Sequence, residues 1–512
     1  MNETAHALGA SGTFWELIER RAALTPDRAF LIQDDRTLTF GGLRDRAERV
    51  AAGLCALGVR PGTVVAWQLP TRLETALLSF ALARIGAVQT PVIPFYRDRE
   101  VGFALRESQA EFFAVPGTWR GFDHTAMAAR VTEGLDRPPH VFEAYDTLPD
   151  GDPATLPPPP TDGTAVRWIY WTSGTTSDPK GVLHTDRSLI AGGACLAHAL
   201  HLSPDDVGSM AFPFAHVAGP DYSVMLLLYG FPAVLFEHFT MADAVPEYRR
   251  HRVTVAGGST AFYSMFLAEQ RKAPDVPLIP TLRLLAGGGA PKPPEIYHAV
   301  VREMGVQLTH GYGMTEVPMI TMGAPDDTPE HLAETEGRPP SGMEVRITDE
   351  DGKQLPYGTD GEVRLRGEAV CQGYLGAPSP FDEDGFLITG DVGHVLPSGH
   401  VVLTGRLKDI IIRKGENISA KEIEDLLARH PAVGDAAVIG LPDASRGERV
   451  CAVVEQREGA SALTLPELTA YLRGEGLSVH KLPEQLEIVD ALPRNETLRK
   501  VLKYRLRERF GG

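Results

Sequence analysis

The sequence carries no excess of positive charge. Fifty Lys and Arg stand against 67 Asp and Glu, a formal net charge of −17. Phosphate backbones reward a basic face, so the balance argues against nucleic acid as the main partner. A free nucleotide is not excluded, because its site needs only a few local cations. Cysteine is scarce: Cys55, Cys195, Cys371 and Cys451 lie far apart with no CxxC spacing. That argues against a disulfide framework or a zinc site and fits reduced thiols in a cytoplasmic protein. The start, Met1-Asn-Glu-Thr-Ala-His6, has no basic or apolar region, so no signal peptide is read. Long hydrophobic runs are missing too. The longest, Tyr222 to Phe236, is too short to span a bilayer and contains Gly230 and Pro232, so it reads as buried core. A chain of 512 residues is too long for one core, and two or more domains are expected.

The mononucleotide loop G-x-x-x-x-G-K-[ST] is also absent. In its place stands Tyr170-Trp-Thr-Ser-Gly-Thr-Thr-Ser-Asp-Pro-Lys-Gly181, led in by the apolar run Val166 to Trp171. Hydroxyls, Gly174 and Lys180 in a short loop suit a polyphosphate: the glycine lets backbone N–H groups turn toward the ligand. Lys180 is followed by Gly181, so the Ser/Thr that would hold Mg²⁺ is missing.

Along the chain, strands alternate with helices. Ala29 to Gln33, Val64 to Leu69, Val92-Ile93, Phe112 to Val115, Val253 to Val255, Leu282 to Leu285 and Gln307 to Thr309 read as strands, and Arg72 to Ile85 as a helix. This implies parallel sheet with helices on both faces. The four prolines Pro157 to Pro160 read as a surface lead-in to the phosphate strand. From about Val345 the texture becomes β-rich. A boundary is expected at Gly405 to Asp409. Beyond it a compact α+β unit opens on the capping box Ser419-Ala-Lys-Glu422 and closes on a basic helix from about Leu498 to Phe510. The expected organisation is a large α/β domain over 1–404, a hinge over 405–409 and a small mobile α+β domain over 410–512.

Other segments carry chemistry. Gly287-Gly-Gly-Ala-Pro291 lets a flat ligand lie on bare backbone, though taken alone it serves a flexible turn equally well. In His310-Gly-Tyr-Gly-Met-Thr-Glu316, Tyr312 offers a ring face, Thr315 a hydrogen bond to phosphate, and Glu316 a hard oxygen for Mg²⁺. The competing reading is a surface turn with a buried tyrosine. Thr389-Gly-Asp391 places a carboxylate after a tight turn, fit for ribose hydroxyls, and Arg406 adds a guanidinium fork.

In this order, TSGTTSDPKG, GGGAP, GYGMTE, TGD, GRLKDIIIRKGENIS and a lysine-bearing tail, the chain resembles the adenylate-forming superfamily from about residue 14 to 508. That group holds acyl-CoA synthetases, adenylation domains and luciferases. The resemblance implies that a carboxylic acid attacks ATP to give acyl-AMP and pyrophosphate, and that a thiol, usually coenzyme A, then takes the acyl group. It places Thr172, Ser173, Gly174, Thr175, Thr176 and Lys180 on the phosphates, Gly288, Gly289, Ala290 and Tyr312 at adenine, and Asp391 and Arg406 at ribose. Glu316 would hold Mg²⁺, with Thr315 beside it. His216, in Phe212 to Gly219, would stand beside the acid and the thiol tunnel, although a lone His among apolar residues is usually a core histidine. Val217, Pro220, Gly257, Gly258, Ser259, Gly287, Gly313 and Met314 would line an apolar acyl pocket. Lys408 falls at the hinge, where many relatives carry Asp, and Lys414, Gly415, Glu416 and Asn417 at the thiol tunnel.

Three positions depart from the pattern: Ser177 replaces a usual Gly, His310 replaces a commoner Gln or similar polar residue, and Pro493-Arg-Asn-Glu-Thr-Leu-Arg-Lys500 replaces PRT-x-x-GK. Aligned from the left, Arg499 takes the lysine's place; aligned on the tail, Lys500 does, and Lys500 is chosen. The segment Phe113 to Asp123 resembles ligases of medium-size acyl, alicyclic or aryl acids. The implied partners are a small carboxylic acid, ATP and coenzyme A, with no integral membrane segment and a homodimer admitted as the assembly. Loading of a carrier-protein phosphopantetheine is the runner-up, and a plain nucleotide-binding ATPase or a pseudo-enzyme scaffold the readings of other classes.

Overall fold

The computed structural model describes residues 3–172, 179–413, 416–443, 446–494 and 500–511, the Asn417 side chain excepted. The chain is mixed α/β. A six-stranded sheet orders Lys180–Thr185, Val166–Thr172, Val88–Pro91, Val64–Trp67, Phe112–Val115 and His140–Glu143. All neighbours are parallel except the first pair, an antiparallel hairpin. Leu73–Ile85 packs beside this sheet and is buried along its whole length, which its run of Leu, Ala and Phe dictates. A second sheet joins Gly208–Met210, Ala233–Leu235, Ala29–Gln33 and Arg36–Thr39. The Tyr222 to Phe236 run is core, as expected: the helix Ala218–Tyr229 ends at Gly230, whose φ of 72° caps it, and the strand Ala233–Leu235 follows.

A third sheet, Val255–Gly258, Leu284–Gly288, Gln307–Met314 and Val317–Met322, carries most of the chemistry-bearing motifs. Its first strands are displaced C-terminally from the segments predicted, and Val92-Ile93 likewise follows its strand rather than forming it. The two displacements in the third sheet have one cause. Gly257, Gly258, Gly287 and Gly288 read as turn residues, yet they are the paired ends of parallel strands. A fourth sheet is antiparallel: Met343–Thr348, Gly361–Gly367, Leu387–Val395 and Val401–Arg406.

The remaining sheet joins Glu416–Ser419, Ile410–Arg413, Gly447–Gln456 and Val433–Asp443, with Gln485–Val489 on Gly447–Gln456. Its two apolar clusters draw only on residues between Ile411 and Phe510. Ser419 does cap Ala420–Leu427, its Oγ accepting from the Glu422 N–H at 3.4 Å. The reciprocal half of the predicted box is replaced: the Glu422 carboxylate accepts two bonds from Lys481 Nζ, at 2.9 and 2.7 Å. The final helix is Lys503–Phe510, so Lys500 precedes it rather than riding on it.

Asp186–Ala199 and Ala218–Tyr229 cross tightly because Gly193 has no side chain. A Cβ there would stand 2.5 Å from both the Asp221 carbonyl oxygen and Val224 Cβ. Alanine gains about 1 kcal/mol of helix propensity, but overpacking against backbone costs about 1–3 kcal/mol or more. Gly193→Ala is therefore expected to lower the midpoint of thermal unfolding, measured against the parent protein at the same scan rate.

Candidate active site

The phosphate motif is a hairpin. Val166–Thr172 pairs antiparallel with Lys180–Thr185, Thr172 lying opposite Lys180. Lys180 thus opens the return strand instead of sitting in the loop. It is exposed, with Nζ 4.7 Å from the centre of the Tyr374 ring. Ser173, Gly174, Thr175, Thr176 and Ser177 lie outside the described residues.

His184, on the same return strand, was not singled out from the sequence. Burial pulls its imidazole down to about 4, and the neutral ring donates from Nε2 to the Thr315 carbonyl at 2.7 Å. It thereby fixes the turn holding Thr315 and Glu316. A lone buried histidine gives no sequence signal of this kind. Tyr374 was missed as well: its hydroxyl donates to Glu316 Oε1 at 2.7 Å, and the Glu316 carbonyl accepts from the Cys371 N–H at 2.8 Å. Glu316 is 7% exposed and held from both sides.

His310 to Met314 belong to the strand Gln307–Met314, which corrects the reading as a loop or surface turn. The strand ends beside bare backbone. Gly258 pairs with Gly287, Gly287 with His310, and Gly288 with Gly311. A Cβ on Gly287 would stand 2.1 Å from the Gly258 carbonyl oxygen, and one on Gly288 2.4 Å from that of Gly311. Only glycine permits these approaches. Burial depresses the His310 imidazole to about 3, so it is neutral, and its Nε2 donates to the Ala290 carbonyl at 2.9 Å. His310 pins the Gly289–Ala290 turn, which gives that departure from the family pattern a structural role.

Tyr312, Asp391 and Arg406 form one unit. Asp391 is 2% exposed and lies inside the strand Leu387–Val395, not in an exposed turn. The turn signal misled because Gly390, with φ 70°, kinks the strand rather than ending it. The Tyr312 hydroxyl donates to Asp391 Oδ2 at 2.5 Å, and Arg406 Nε lies 2.5 Å from Oδ1. Asp391 and Arg406 are register partners across the sheet.

Lys500 meets this unit from the other end of the chain. Val501 bridges Arg494, and the Leu502 N–H donates to the Pro493 carbonyl at 2.7 Å, closing the loop beside Lys500. Burial, and then the Arg406 cation, lowers the Lys500 ammonium to about 8; Asp391 and Glu316 pull the other way. His216 is brought to about 4 by burial and then by Lys500. The neutral His216 accepts at Nδ1 from the Ala218 N–H at 3.2 Å, which leaves the proton on Nε2. Lys500, Glu316, Asp391, Arg406 and His216 therefore share one electrostatic neighbourhood. Arg499 lies outside the described residues.

Among the acyl-pocket positions, Val217 is buried at the cap of Ala218–Tyr229, and Pro220 is in its first turn. Gly257, Gly258 and buried Ser259 end the first strand of the third sheet; Gly313 and Met314 end its third. Lys408 sits exposed in the turn Leu407–Asp409, and Asp409 pairs with Arg507 of the last helix at 3.0 Å. Glu416 is exposed opposite Arg413. Lys414, Gly415 and the Asn417 side chain fall outside the described residues.

Among the described residues no cluster of three His, Cys, Asp or Glu could hold a metal, and no helix is long and apolar enough to cross a membrane. A single carboxylate still fits Mg²⁺, which usually takes one or two carboxylates plus phosphate oxygens.

Comparison with known proteins identifies the family. The model of the AMP-binding enzyme family matches residues 18–375, and that of the AMP-binding enzyme C-terminal domain matches 422–498. A medium-chain fatty-acid–CoA ligase of Escherichia coli is 29% identical over 97% of this chain and 89% of its own. A salicyl-AMP ligase / salicyl-S-ArCP synthetase of Mycobacterium tuberculosis is 33% identical over 89% of this chain and 82% of its own. Among solved structures, ATP-bound MatB from Rhodopseudomonas palustris superposes with a TM-score of 0.86 at 30% identity, covering 97% of this chain and 98% of that one.

Proposed function

The chain belongs to the AMP-binding enzyme family, and from that premise we propose that it is an AMP-forming carboxylic acid–CoA ligase. The observation that carries the reading is the convergence of Lys500, Glu316, Asp391 and Arg406 on one site. In the first half-reaction an acid's carboxylate attacks the α-phosphate of ATP and pyrophosphate leaves; in the second a thiol displaces AMP. The obstacle in the first is anion meeting anion, roughly 4 kcal/mol for unit charges about 4 Å apart at an effective dielectric of about 20. Lys500 supplies a cation where the carboxylate and the α-phosphate meet. Lys180, with Thr172 and the residues that follow, takes the outer phosphates, and Thr315 bonds a phosphate oxygen. Asp391, oriented by Tyr312 and Arg406, accepts from the ribose; the Gly287–Ala290 backbone and Tyr312 bound the adenine. Glu316 would hold Mg²⁺, which when bound neutralises charge on the departing pyrophosphate. Rotation at Lys408 would then exchange Lys500 for the Lys414 to Asn417 face as thioester forms, the small domain over 410–512 moving against the large one over 1–404. The compartment would be cytoplasmic and the assembly a homodimer.

Acid-dependent release of pyrophosphate across aliphatic, alicyclic and aromatic acids, with thioester formed on free coenzyme A, tests the reading. Release of inorganic phosphate without an acid would overturn it in favour of a plain ATPase. The similarity to a salicyl-S-ArCP synthetase keeps a carrier protein as the second acceptor to compare. A pH dependence accompanies the assignment. Lys500 loses its proton as pH rises through about 8, so kcat/KM for adenylation, which reports the free enzyme, should fall above that pH. Lys500→Arg stays charged and should lack that limb.

A further inference from the structure

Asp221 follows Pro220 in the first turn of Ala218–Tyr229, one helical turn beyond Val217. It is 2% exposed, and among the described residues its buried Oδ1 has no hydrogen-bond partner. Leaving such an atom unpaired costs about 1–3 kcal/mol. A fold keeps such an atom where something else completes it. The neighbouring helix Asp186–Ala199 makes room: a Cβ at Gly192 would stand 3.1 and 3.2 Å from the two carboxyl oxygens and 3.3 Å from Pro318 Cβ. The Pro318 carbonyl in turn lies 2.2 Å from where a Gly313 side chain would begin. Ala191, Met314 and Met319 supply apolar wall nearby. Tyr170 lies within electrostatic reach of the Asp221 carboxyl, and among the described residues its hydroxyl is a second buried atom without a partner. The carboxyl of Asp221, next in sequence to Pro220, thus packs against Gly192 beside Pro318, and Pro318 packs in turn on Gly313, the neighbour of Met314; Pro220, Gly313 and Met314 are positions expected to line the acyl pocket. Burial holds Asp221 well above the ordinary carboxylate range, a shift that favours the protonated carboxyl, which can both donate and accept.

We propose that Asp221 sets the specificity of the acyl pocket, and that the acid activated carries a hydroxyl or amino group on an otherwise apolar body, hydrogen-bonded by the Asp221 carboxyl. This rests on the acid–CoA ligase reading and narrows its substrate class. A site built to hydrogen-bond a substrate group rejects the analogue lacking it, because its own buried group is then left unpaired.

The test is acid-dependent ATP–pyrophosphate exchange with matched pairs: benzoate, cyclohexanecarboxylate and octanoate, each against its hydroxy and amino derivatives. The wild-type protein is expected to favour one derivative over its parent by on the order of 10²-fold or more in kcat/KM. The better arm of each pair tells hydroxyl from amine. Asp221→Ala is expected to shrink that ratio to about tenfold or less, losing on the derivative and gaining on the parent. Asp221→Asn, which keeps a donor and an acceptor, should preserve it for the hydroxy acid. The ratio is taken within one preparation, so partial misfolding cancels, and a purely supporting role would lower both acids alike. If no variant folds, the wild-type ranking still decides. A wild-type protein treating every pair within about threefold, or Asp221→Ala with an unchanged ratio, overturns the proposal alone. No exchange with any acid overturns the ligase reading and this proposal with it.

Discussion

Lys500→Ala is expected to lose acyl-AMP formation by about 10²–10³ in kcat, the usual cost of removing one preorganised charge-stabilising group. The same variant should still convert supplied acyl-AMP to the thioester, because the thiol attacks an uncharged acyl carbon and no carboxylate has to be brought against the α-phosphate. Lys500 lies in the field of Asp391, Glu316 and Arg406 and is felt at His216. On the proposed reading an ammonium there would meet both the incoming carboxylate and the phosphate. The two half-reactions should be assayed separately, by pyrophosphate exchange and by thioester formation. Arg499→Ala is the comparison. Full adenylation by Lys500→Ala, with loss in Arg499→Ala, would move the role to the neighbour.

Glu316→Gln should lower kcat/KM for ATP by about 10²-fold or more and raise the Mg²⁺ concentration needed for half-maximal rate. The substitution keeps size and an acceptor oxygen, so the bond from Tyr374 at 2.7 Å and the backbone bond from Cys371 can persist. What goes is the negative charge. Tyr374→Phe leaves the charge and removes only its orienting bond, and its loss should be the smaller. Equal loss in the two variants at saturating Mg²⁺ would show that Glu316 acts through orientation and not as an anionic oxygen.

Much of this site was legible because its parts are punctuated. Glycines, hydroxyls and charged residues in GGGAP, GYGMTE and TGD stand out against apolar strands, and their order is specific. What was misjudged comes from the same punctuation. Gly287, Gly311 and Gly390 look like turns, yet all three lie inside strands, where close backbone approach or a kink demands glycine. Asp391 looked exposed because a short motif cannot reveal that Tyr312 and Arg406 close over it. His184 and Tyr374 could not be seen at all, since each acts through one contact made over a long sequence separation. Asp221 was hidden by its neighbours: in an apolar run one acidic residue passes for a helix N-terminal charge, and only its missing partner marks it out.

Arg406 ends its strand two residues before Lys408. The residue that steadies Asp391 is thus mechanically next to the proposed axle of the small domain. A nucleotide that draws on the oxygens of Asp391 competes with Arg406 for them and tugs on the chain at the pivot. Thermodynamic linkage makes such a relation reciprocal: whatever factor ties nucleotide affinity to one posture of the small domain ties that posture to the nucleotide by the same factor. On the proposed reading the ribose grip would then work as a sensor as well as a clasp, reporting to the pivot whether a nucleotide is held.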